Sequence, residues 1–508
     1  MRPAAWGRGA LALAGGVGLL WCASGDAAPV GPPPQAPLAA GIAPAAARVA
    51  RAATLAQVPA PGWSKRYGWT GHDELLSVNP TLDGGYVAAG LTYQNGDADA
   101  WILKLDAAGA VAWSKVLANP GHDRFVEAVE KYDVAGASAG YIAAGHVTTQ
   151  AFGDTANENA WIVRFDPTGQ VLWSKQYGGA VQADALGSND RAYRVLALPS
   201  GYLFVGWTAS FHSQPADRAA RAWVGRLDES GALLWSRLYP APPGAAPDTM
   251  ADFIMRTKEE PPTFIISAIN LDYDDRLRLN RWDTTNGFVF KIDAVGRQLW
   301  RRWWNQGRED RAWGAHETAN GDYLVSGFTR DSAGTADMSL VRFSPSGSVV
   351  SSHRYGSAGT DELVGLSPLA VAPASQLVYL AGLSAGADRQ DALLMQLDPA
   401  ALGQIRRQHT YGYSTAGPRI AQFNSLRIVS DGFLLGGHSG GDGWVVKLAP
   451  DLAGACAPSA AAGHTAGPGV AVQLVAAPET EALSSVSTAP GPTTFGAGPG
   501  EVGSTSCQ

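Results

Sequence analysis

Aspartates recur at one position in this chain, where they open the first strand of successive copies of a repeated pattern. Such side chains would form a ring of carboxylates near the mouth of a central channel. Carboxylates bind cations, calcium among them, and they also bind cationic ligands and sugars. Alternatively, each aspartate caps its turn by accepting backbone N–H hydrogen bonds. The repetition favours capping, because positions that every copy shares commonly serve the scaffold. Six copies carry the residue, and the seventh has no equivalent: Asp73, Asp123, Asp190, Asp252, Asp310 and Asp361.

Two histidines stand directly before these aspartates in adjacent copies. His72 and His122 each occur within Gly-His-Asp. Imidazole is a common metal ligand, but a metal site needs further ligands, and no third histidine is in phase with these two. The sequence therefore predicts no metal site and no cofactor, and calcium stays an option for the carboxylate ring alone.

The longest loop of the pattern spans residues 270–287 and differs from the corresponding segments of the other copies. Its aromatic, arginine and acidic residues are typical of protein and glycan interfaces. A solvated insertion without a partner would have the same composition, because loop tips tolerate such changes. The residues proposed for ligand binding here are Tyr273, Arg276, Arg278 and Trp282.

One stretch matches the nucleophile-elbow pattern Gly-x-Ser-x-Gly, with Ser384 at its centre. That motif requires a turn between a strand and a helix. Ser384 instead occupies the position that threonines fill in other copies, namely Thr92, Thr208 and Thr329. The sequence therefore predicts a repeat position and not a nucleophile.

Short strands separated by glycine turns must position all of these residues. The hairpin-and-strand element occurs as DGGYVAAG (83–90), AGYIAAG (139–145), SGYLFVG (200–206), NGDYLVSG (320–327), LVYLAG (377–382) and DGFLLGG (431–437), with a degenerate copy PTFIISA (262–268). No segment between residues 63 and 451 shows a sustained helical period. Repeats of this length with four strands each predict an all-β fold, a seven-bladed β-propeller of four-stranded blades.

The ends of the repeat region predict how the ring closes. In six copies a glycine turn and one further strand follow the third strand. The copy that ends at Leu448 lacks this further strand, and the missing one stands at the start of the region as WSKRY, residues 63–67. We expect this N-terminal strand to complete the last blade, so that no sheet edge stays open.

The repeat resembles the bacterial SBBP-type β-propeller repeats in its pattern Gly-Tyr-strand-Gly, then strand-Lys-Leu-Asp-x-x-Gly-x-x-x-Trp, and the resemblance covers all seven copies. The segment from Asp106 through Gly109 to Trp113 is also similar to the tryptophan-docking motif of quinoprotein-like propellers. That resemblance implies that each tryptophan locks one blade to the next. An indole stacks well on a glycine peptide, which supports the same structural role. The tryptophans concerned are Trp63, Trp113, Trp173, Trp235 and Trp300.

The two flanks of the repeat region differ from it in composition. Residues 1–28 have the charged start and short apolar run of an export signal, and acylation at Cys22 is an alternative way of processing it. Residues 29–60 form an Ala/Pro-rich linker, residues 61–451 the propeller, and residues 452–508 a low-complexity tail with one expected strand at 470–476. In an oxidising compartment, Cys456 and Cys507 are expected to form a disulfide, although two free thiols fit the sequence as well.

The net charge and composition exclude some classes of function. The net charge of −7 lacks the basic footprint of nucleic-acid binding. We expect an exported scaffold without a transmembrane segment in the mature chain, located in the periplasm, on the cell surface or outside the cell. It would bind a protein or a glycan through its loop face. The alternative is an exported propeller enzyme, either a quinoprotein-like oxidoreductase or a polysaccharide hydrolase or lyase.

Overall fold

The computed structural model describes residues 62–452, except 70, 94–96, 119–120, 149–157, 180–188, 212–218, 242–246, 275–278, 306–307, 364, 366, 386–388 and 412–418, together with seven short strands between residues 459 and 504. Residues 57–508 form one compact unit. The predicted export signal, Cys22 and the linker lie outside the described residues, as do Cys456 and Cys507.

Every regular element in the described part of the chain is a β-strand, which confirms the all-β class. The strands are short and rich in β-branched and aromatic residues. The second and third strands of each repeat are buried on both faces, whereas the outermost strands are partly exposed. Glycines with positive φ stand in the turns that join them, as at Gly84 (+82°) and Gly201 (+83°). Turn chemistry and strand propensity therefore agree on this fold.

Successive strands pair antiparallel in sets of four, one set for each copy of the repeat. Repeats 1 to 4 contain β2 (Asp73–Pro80), β3 (Tyr86–Tyr93), β4 (Ala98–Leu105) and β5 (Val111–Leu117); β6 (Arg124–Tyr132), β7 (Ser138–Thr148), β8 (Glu158–Phe165) and β9 (Val171–Gly178); β10 (Asp190–Ala197), β11 (Tyr202–Thr208), β12 (Arg221–Leu227) and β13 (Leu233–Tyr239); and β14 (Asp248–Arg256), β15 (Phe264–Asp274), β16 (Leu279–Ile292) and β17 (Gln298–Trp304).

The remaining repeats follow the same order, with two variations. Repeats 5 to 7 contain β18 (Glu309–Glu317), β19 (Tyr323–Arg330), β20 (Ala336–Phe343) and β21 (Val349–Gly356); β22 (Thr360–Glu362), β23 (Leu369–Val371), β24 (Val378–Ala385), β25 (Arg389–Leu397) and β26 (Ile405–Tyr411); and β27 (Arg419–Val429), β28 (Gly432–Ser439) and β29 (Asp442–Leu448). The innermost strand of repeat 6 is divided into β22 and β23. The fourth strand of repeat 7 is β1 (Trp63–Tyr67), which pairs antiparallel with β29 from Trp63↔Lys447 to Tyr67↔Gly443.

The C-terminal tail adds a further short strand to the outer edge of each repeat. These strands are β30 (Ser459–Ala460), β31 (Thr465–Pro468), β32 (Val472–Val475), β33 (Glu481–Ala482), β34 (Ser487–Pro490), β35 (Phe495–Ala497) and β36 (Glu501–Ser504). They pair antiparallel with β26, β21, β17, β13, β9, β5 and β1, in that order. The tail therefore visits repeats 6, 5, 4, 3, 2 and 1 and ends on repeat 7. We call it the belt.

Tryptophans of the outermost strands contact glycines of the next repeat. A Cβ added at Gly109 would lie 2.8 Å from the Trp63 ring, and one added at Gly169 would lie 2.9 Å from the Trp113 ring. Tyr67 Oη donates a 2.7 Å hydrogen bond to the Gly109 carbonyl beside the same indole. The same contact joins Trp173 to Gly231, Trp235 to Gly296 and Trp300 to Gly347. We call this arrangement the latch, and it confirms the structural role predicted for the five tryptophans.

Candidate functional site

The predicted carboxylate ring lies at the end of each sheet where a loop enters the innermost strand and where the second strand joins the third. We call this end the upper face. Asp73, Asp190 and Asp310 stand opposite threonines of the second strand, at Thr92, Thr208 and Thr329 respectively. Asp361 stands opposite Ser384. Ser384 therefore holds a repeat position within β24, as predicted.

The ring carboxylates are buried and bond to their own repeats. Asp73 Oδ2 accepts a hydrogen bond from the Trp69 backbone N–H at 2.6 Å, and Asp123 Oδ1 accepts one from the Thr148 N–H at 2.8 Å. Asp361 Oδ2 accepts bonds from both the backbone N–H and the hydroxyl of Ser357, each at 2.7 Å. None of these aspartates is more than 1% exposed. Turn capping accounts for these contacts.

The assignment of Asp252 to this ring is wrong. In repeats 1, 3 and 5 a β-bulge follows the ring aspartate by three residues, at Leu76, Tyr193 and Trp313. In repeat 4 the bulge falls at Asp252 itself, which places Thr249 at the ring position, opposite Asn270. The Thr249 hydroxyl donates a 2.7 Å bond to the Tyr239 carbonyl. Comparison of the copies chose a residue three positions after the ring position, because nothing in the sequence marks the residue that forms the bulge.

Asp252 belongs instead to a group of charged side chains between the innermost strands. The Arg194 guanidinium of β10 bonds to the Glu127 carboxylate of β6 and to the Ser367 hydroxyl of repeat 6. Arg427 of β27 lies 3.6 Å from the same Glu127 carboxylate. Repeats 2, 3, 6 and 7 therefore meet in this group, which we call the channel network. In the sequence, Glu127, Arg194 and Arg427 are marked only as charged residues within otherwise apolar strands.

Burial perturbs the titration of the channel network. It raises the pKa of Asp252 to about 7, although the charges of Arg311 and Arg194 oppose the shift. Burial and the charge of Arg194 lower the pKa of Arg427 to about 10. Asp252 is 3% exposed, and its Oδ2 has no hydrogen-bond partner among the described residues. The network is therefore costly to the fold, because several ionisable side chains are buried together.

The two predicted histidines lie on the upper face and belong to a longer row of rings. The ring centroids of His438 and His72 are 5.9 Å apart, those of His72 and Tyr93 are 6.0 Å apart, and those of Tyr93 and His122 are 5.9 Å apart. The row crosses repeats 7, 1 and 2, and we call it the ring row. His438, which the sequence did not single out, joins it because repeats 7 and 1 are neighbours.

Carboxylates surround the ring row. Glu74 lies 3.4 Å from His438 Nδ1, and although burial raises the pKa of Glu74, its bonds to His438 and Asn424 bring it below the ordinary value. Burial, helped by the charge of Asp97, raises the pKa of Asp99 to about 6. Among the residues that the structure describes, no group of three or more His, Cys, Asp or Glu could hold a metal ion.

The loop predicted at 270–287 is largely a β-hairpin, so the loop interpretation is wrong for most of its length. Strand β15 continues to Asp274 and β16 begins at Leu279, with Tyr273 paired with Asn280. In the sequence, polar and apolar residue types alternate from Asn270 to Asp274, as is typical of a strand in a hairpin. Tyr273 lies on β15 and Trp282 on β16, whereas Arg276 and Arg278 lie outside the described residues. Ligand binding by these four residues stays a prediction.

Comparisons with known proteins give fold-level likenesses alone. No protein-family model and no curated protein matches the chain. Among solved structures, Sqt1 from Chaetomium thermophilum aligns with a TM-score of 0.37 at 12% identity, over 76% of this chain and 97% of that one. Sqt1 bound to the N-terminus of the ribosomal protein L10 aligns at 0.36 and 12%, over 75% and 98%. A eukaryotic initiation factor aligns at 0.32 and 10%, over 82% and 99%.

The structure itself defines a class of protein, an all-β repeat fold of the β-propeller kind. The described part of the chain contains no helix of the length and apolarity needed to cross a bilayer.

Proposed function

We propose that the chain is an exported, non-enzymatic scaffold, a seven-bladed β-propeller closed by its N-terminal strand, which binds a protein partner through the upper face. Pairing of β1 with β29 supports closure. So does the contact between repeats 7 and 1, where Asn424 Nδ2 donates a 3.0 Å bond to Glu74. A closed ring leaves loops free to vary on one face of a rigid frame, as binding scaffolds require.

The ring row is the observation that carries this proposal. Four rings in edge or tilted contact offer a continuous surface that is apolar in its ring faces and polar in its ring nitrogens and hydroxyl. Such surfaces are typical of protein interfaces, where aromatic side chains supply contact area at low entropic cost. Trp69, 36% exposed, adds a further ring in the loop beside His72.

Charge indicates the chemistry of the partner. Glu74, Asp97, Asp99 and Asp442 lie around the ring row, and Arg66 neutralises one of them through a 2.7 Å ion pair with Asp442. The excess of carboxylates favours a partner segment with basic and apolar side chains.

The binding experiment uses the mature chain, residues 29–508, immobilised and exposed to an extract of secreted and periplasmic proteins. A His72→Ser/Tyr93→Ser variant removes two rings from the row. A Leu172→Ser/Leu234→Ser variant removes two apolar side chains, each 58% exposed, from outermost strands. We expect the first variant to lose a captured protein that the second retains. Equal capture by all three proteins, or release of a glycan and no protein, would refute the proposal.

Export has its own experiment. Residues 1–60 fused to alkaline phosphatase should give active enzyme, because that reporter forms its disulfides outside the reducing cytoplasm. An inactive fusion, beside an active control that carries a known export signal, would contradict export without affecting the binding result.

A further inference from the structure

The latch is altered in all three of its components at the seam between repeats 6 and 7. At the seam between repeats 5 and 6 only part of it changes: Ser351 stands at the tryptophan position, but Tyr355 Oη still donates a 2.6 Å bond to the Leu402 carbonyl. In repeats 1 to 4, the tryptophan of the latch pairs with a basic residue on the neighbouring strand of its sheet, as Trp113 does with Lys104. In repeat 6 the same register position holds Arg407, which pairs with Gln396. No indole is therefore available to dock on repeat 7.

The receiving side of the same seam has changed as well. Leu452 has φ +70°, close to the +77° of Gly109, and its N–H donates a 2.9 Å bond to Ala449 O, just as Gly109 N–H bonds to Asp106 O. The turn is therefore the latch turn, with a leucine in the place of the glycine. A side chain at this φ is strained, and the leucine side chain occupies the space in which an indole would stack on this turn.

The tyrosine of the latch also differs at this seam. Tyr411 stands where Tyr67 stands in repeat 7, and Tyr67 Oη bonds to the Gly109 carbonyl at 2.7 Å. Tyr411 is 1% exposed, yet its hydroxyl has no hydrogen-bond partner in the described part of the chain. All three components of the latch are thus altered together between repeats 6 and 7.

A cleft of roughly 760 Å³ lies at this seam, on the face opposite the upper face. The residues that line it include Tyr379, Ile428 and Phe433, together with Arg406 and Arg407. This volume lies within the range of sites that hold small ligands or single large side chains.

The two arginines of the cleft are not equivalent. Arg406 is held by Asp398, with Nε and Nη2 at 2.9 and 2.5 Å from Oδ2. Arg407 is exposed and has no ion-pair partner among the described residues. Within the described part of the chain, Arg407 is therefore a cation without an ion-pair partner beside an apolar wall.

We propose that the cleft binds an aromatic side chain of a partner protein segment that carries a carboxylate next to the ring. The ring would lie in the cleft against Tyr379, Ile428 and Phe433, and the carboxylate would bind Arg407. The chain itself cannot supply the ring from its flanks, because residues 29–62 contain no Phe, Trp or Tyr, and the one aromatic residue after Leu452 is Phe495, which pairs with Leu117 of repeat 1.

N-acetyl-L-tryptophan is the probe for this site, and its neutral amide is the comparison. We expect calorimetry with the mature protein to give about tenfold tighter binding of the acid, a difference of about 1.4 kcal/mol, because only the carboxylate forms a charge-assisted hydrogen bond with Arg407. Added salt should reduce the affinity for the acid and leave that for the amide unchanged.

Three variants decide the outcome. Arg407→Gln should bind acid and amide alike, and Arg297→Gln, an exposed arginine of repeat 4, should behave as the wild type. The double variant Arg407→Trp/Leu452→Gly rebuilds the latch, so it should melt at a higher temperature and bind neither compound. Equal binding of acid and amide by the wild type, or binding retained in the folded double variant, would overturn the proposal. A dimer that the double variant abolishes would also overturn it, because a second copy would then occupy the cleft.

Discussion

The contribution of the latch to the free energy of unfolding can be measured by substituting two glycines of the same repeat. Gly169 and Gly136 have nearly the same backbone conformation, φ +81° and +83°, and each lies in a turn closed by a backbone bond of 3.0–3.1 Å to an aspartate carbonyl. They differ in what surrounds them. A Cβ at Gly169 would lie 2.9 Å from the Trp113 ring, whereas a Cβ at Gly136 would have no neighbour within 4 Å.

Alanine at either position costs about 1–2 kcal/mol for a side chain in the left-handed region. At Gly169 the Trp113 ring must also move, and overpacking of this kind costs about a further 1–3 kcal/mol. We therefore expect Gly169→Ala to lower the free energy of unfolding by about 3 kcal/mol and Gly136→Ala by about 1 kcal/mol. The difference between the two variants isolates the contact between repeats 1 and 2.

Equilibrium unfolding in urea, followed by circular dichroism, gives both values on the same protein. The slope of the free energy of unfolding against urea concentration should stay unchanged, because neither substitution alters the surface exposed on unfolding. If the two variants agree within about 0.5 kcal/mol, backbone strain explains the whole effect. Docking of Trp113 on Gly169 would then contribute nothing to stability, and the reasoning would be refuted.

Three further predictions concern other parts of the molecule. Because the pKa of Asp252 is raised to about 7, the folded state holds a proton that the unfolded state releases near pH 4. The free energy of unfolding should therefore fall as the pH rises from about 4 to 7. Thermal melts at several pH values should show this fall in the wild type and not in Asp252→Asn. Deletion of residues 61–68 removes the strand that pairs with β29 and should lower the melting temperature of the whole body, and an unchanged melt would contradict closure. The disulfide between Cys456 and Cys507 stays a prediction; the nearest described strands, β30 and β36, lie on the neighbouring repeats 6 and 7, and non-reducing peptide mass spectrometry would detect it.

The repeat frame could be predicted because each of its signals is local. Trp113, Gly109 and Asp106 lie within eight residues, and their spacing alone indicates a turn and the strand that follows it. The same holds for the threonines opposite the ring aspartates, which repeat with the strands that carry them.

The interior could not be predicted because its contacts join distant repeats. Glu127 and Arg194 are 67 residues apart, and nothing in either strand indicates that their side chains meet. Asp252 shows a second difficulty, which is that the sequence does not mark the β-bulges. The distance of a carboxylate from the bulge decides whether it caps a turn or enters the channel network. A sequence without known register leaves both choices open.

The tail was expected to contain one strand, at 470–476, and β32 lies within that range. The other belt strands are short and rich in Gly, Ala, Ser and Pro, with weak strand propensity of their own. Their pairing is decided by the outermost strands of the body, whose backbone groups would otherwise be unpaired. Local composition therefore gives no signal for them.

The belt also sets an order of events during synthesis. Leu117 of repeat 1 pairs with Phe495, so its edge is made roughly 380 residues before the strand that covers it, an interval of about 20 to 80 s at common translation rates. Uncovered edges invite pairing with other chains, and a charged side chain on the edge is a known protection. Two positions after the latch position, five of the outermost strands carry Lys or Arg, namely Lys65, Lys115, Lys175, Arg237 and Arg302. Repeats 5 and 6 carry His353 and His409 there, and burial lowers the pKa of both, so these two side chains are largely neutral near pH 7. The five cations would keep their edges soluble until the end of the chain arrives to pair with them.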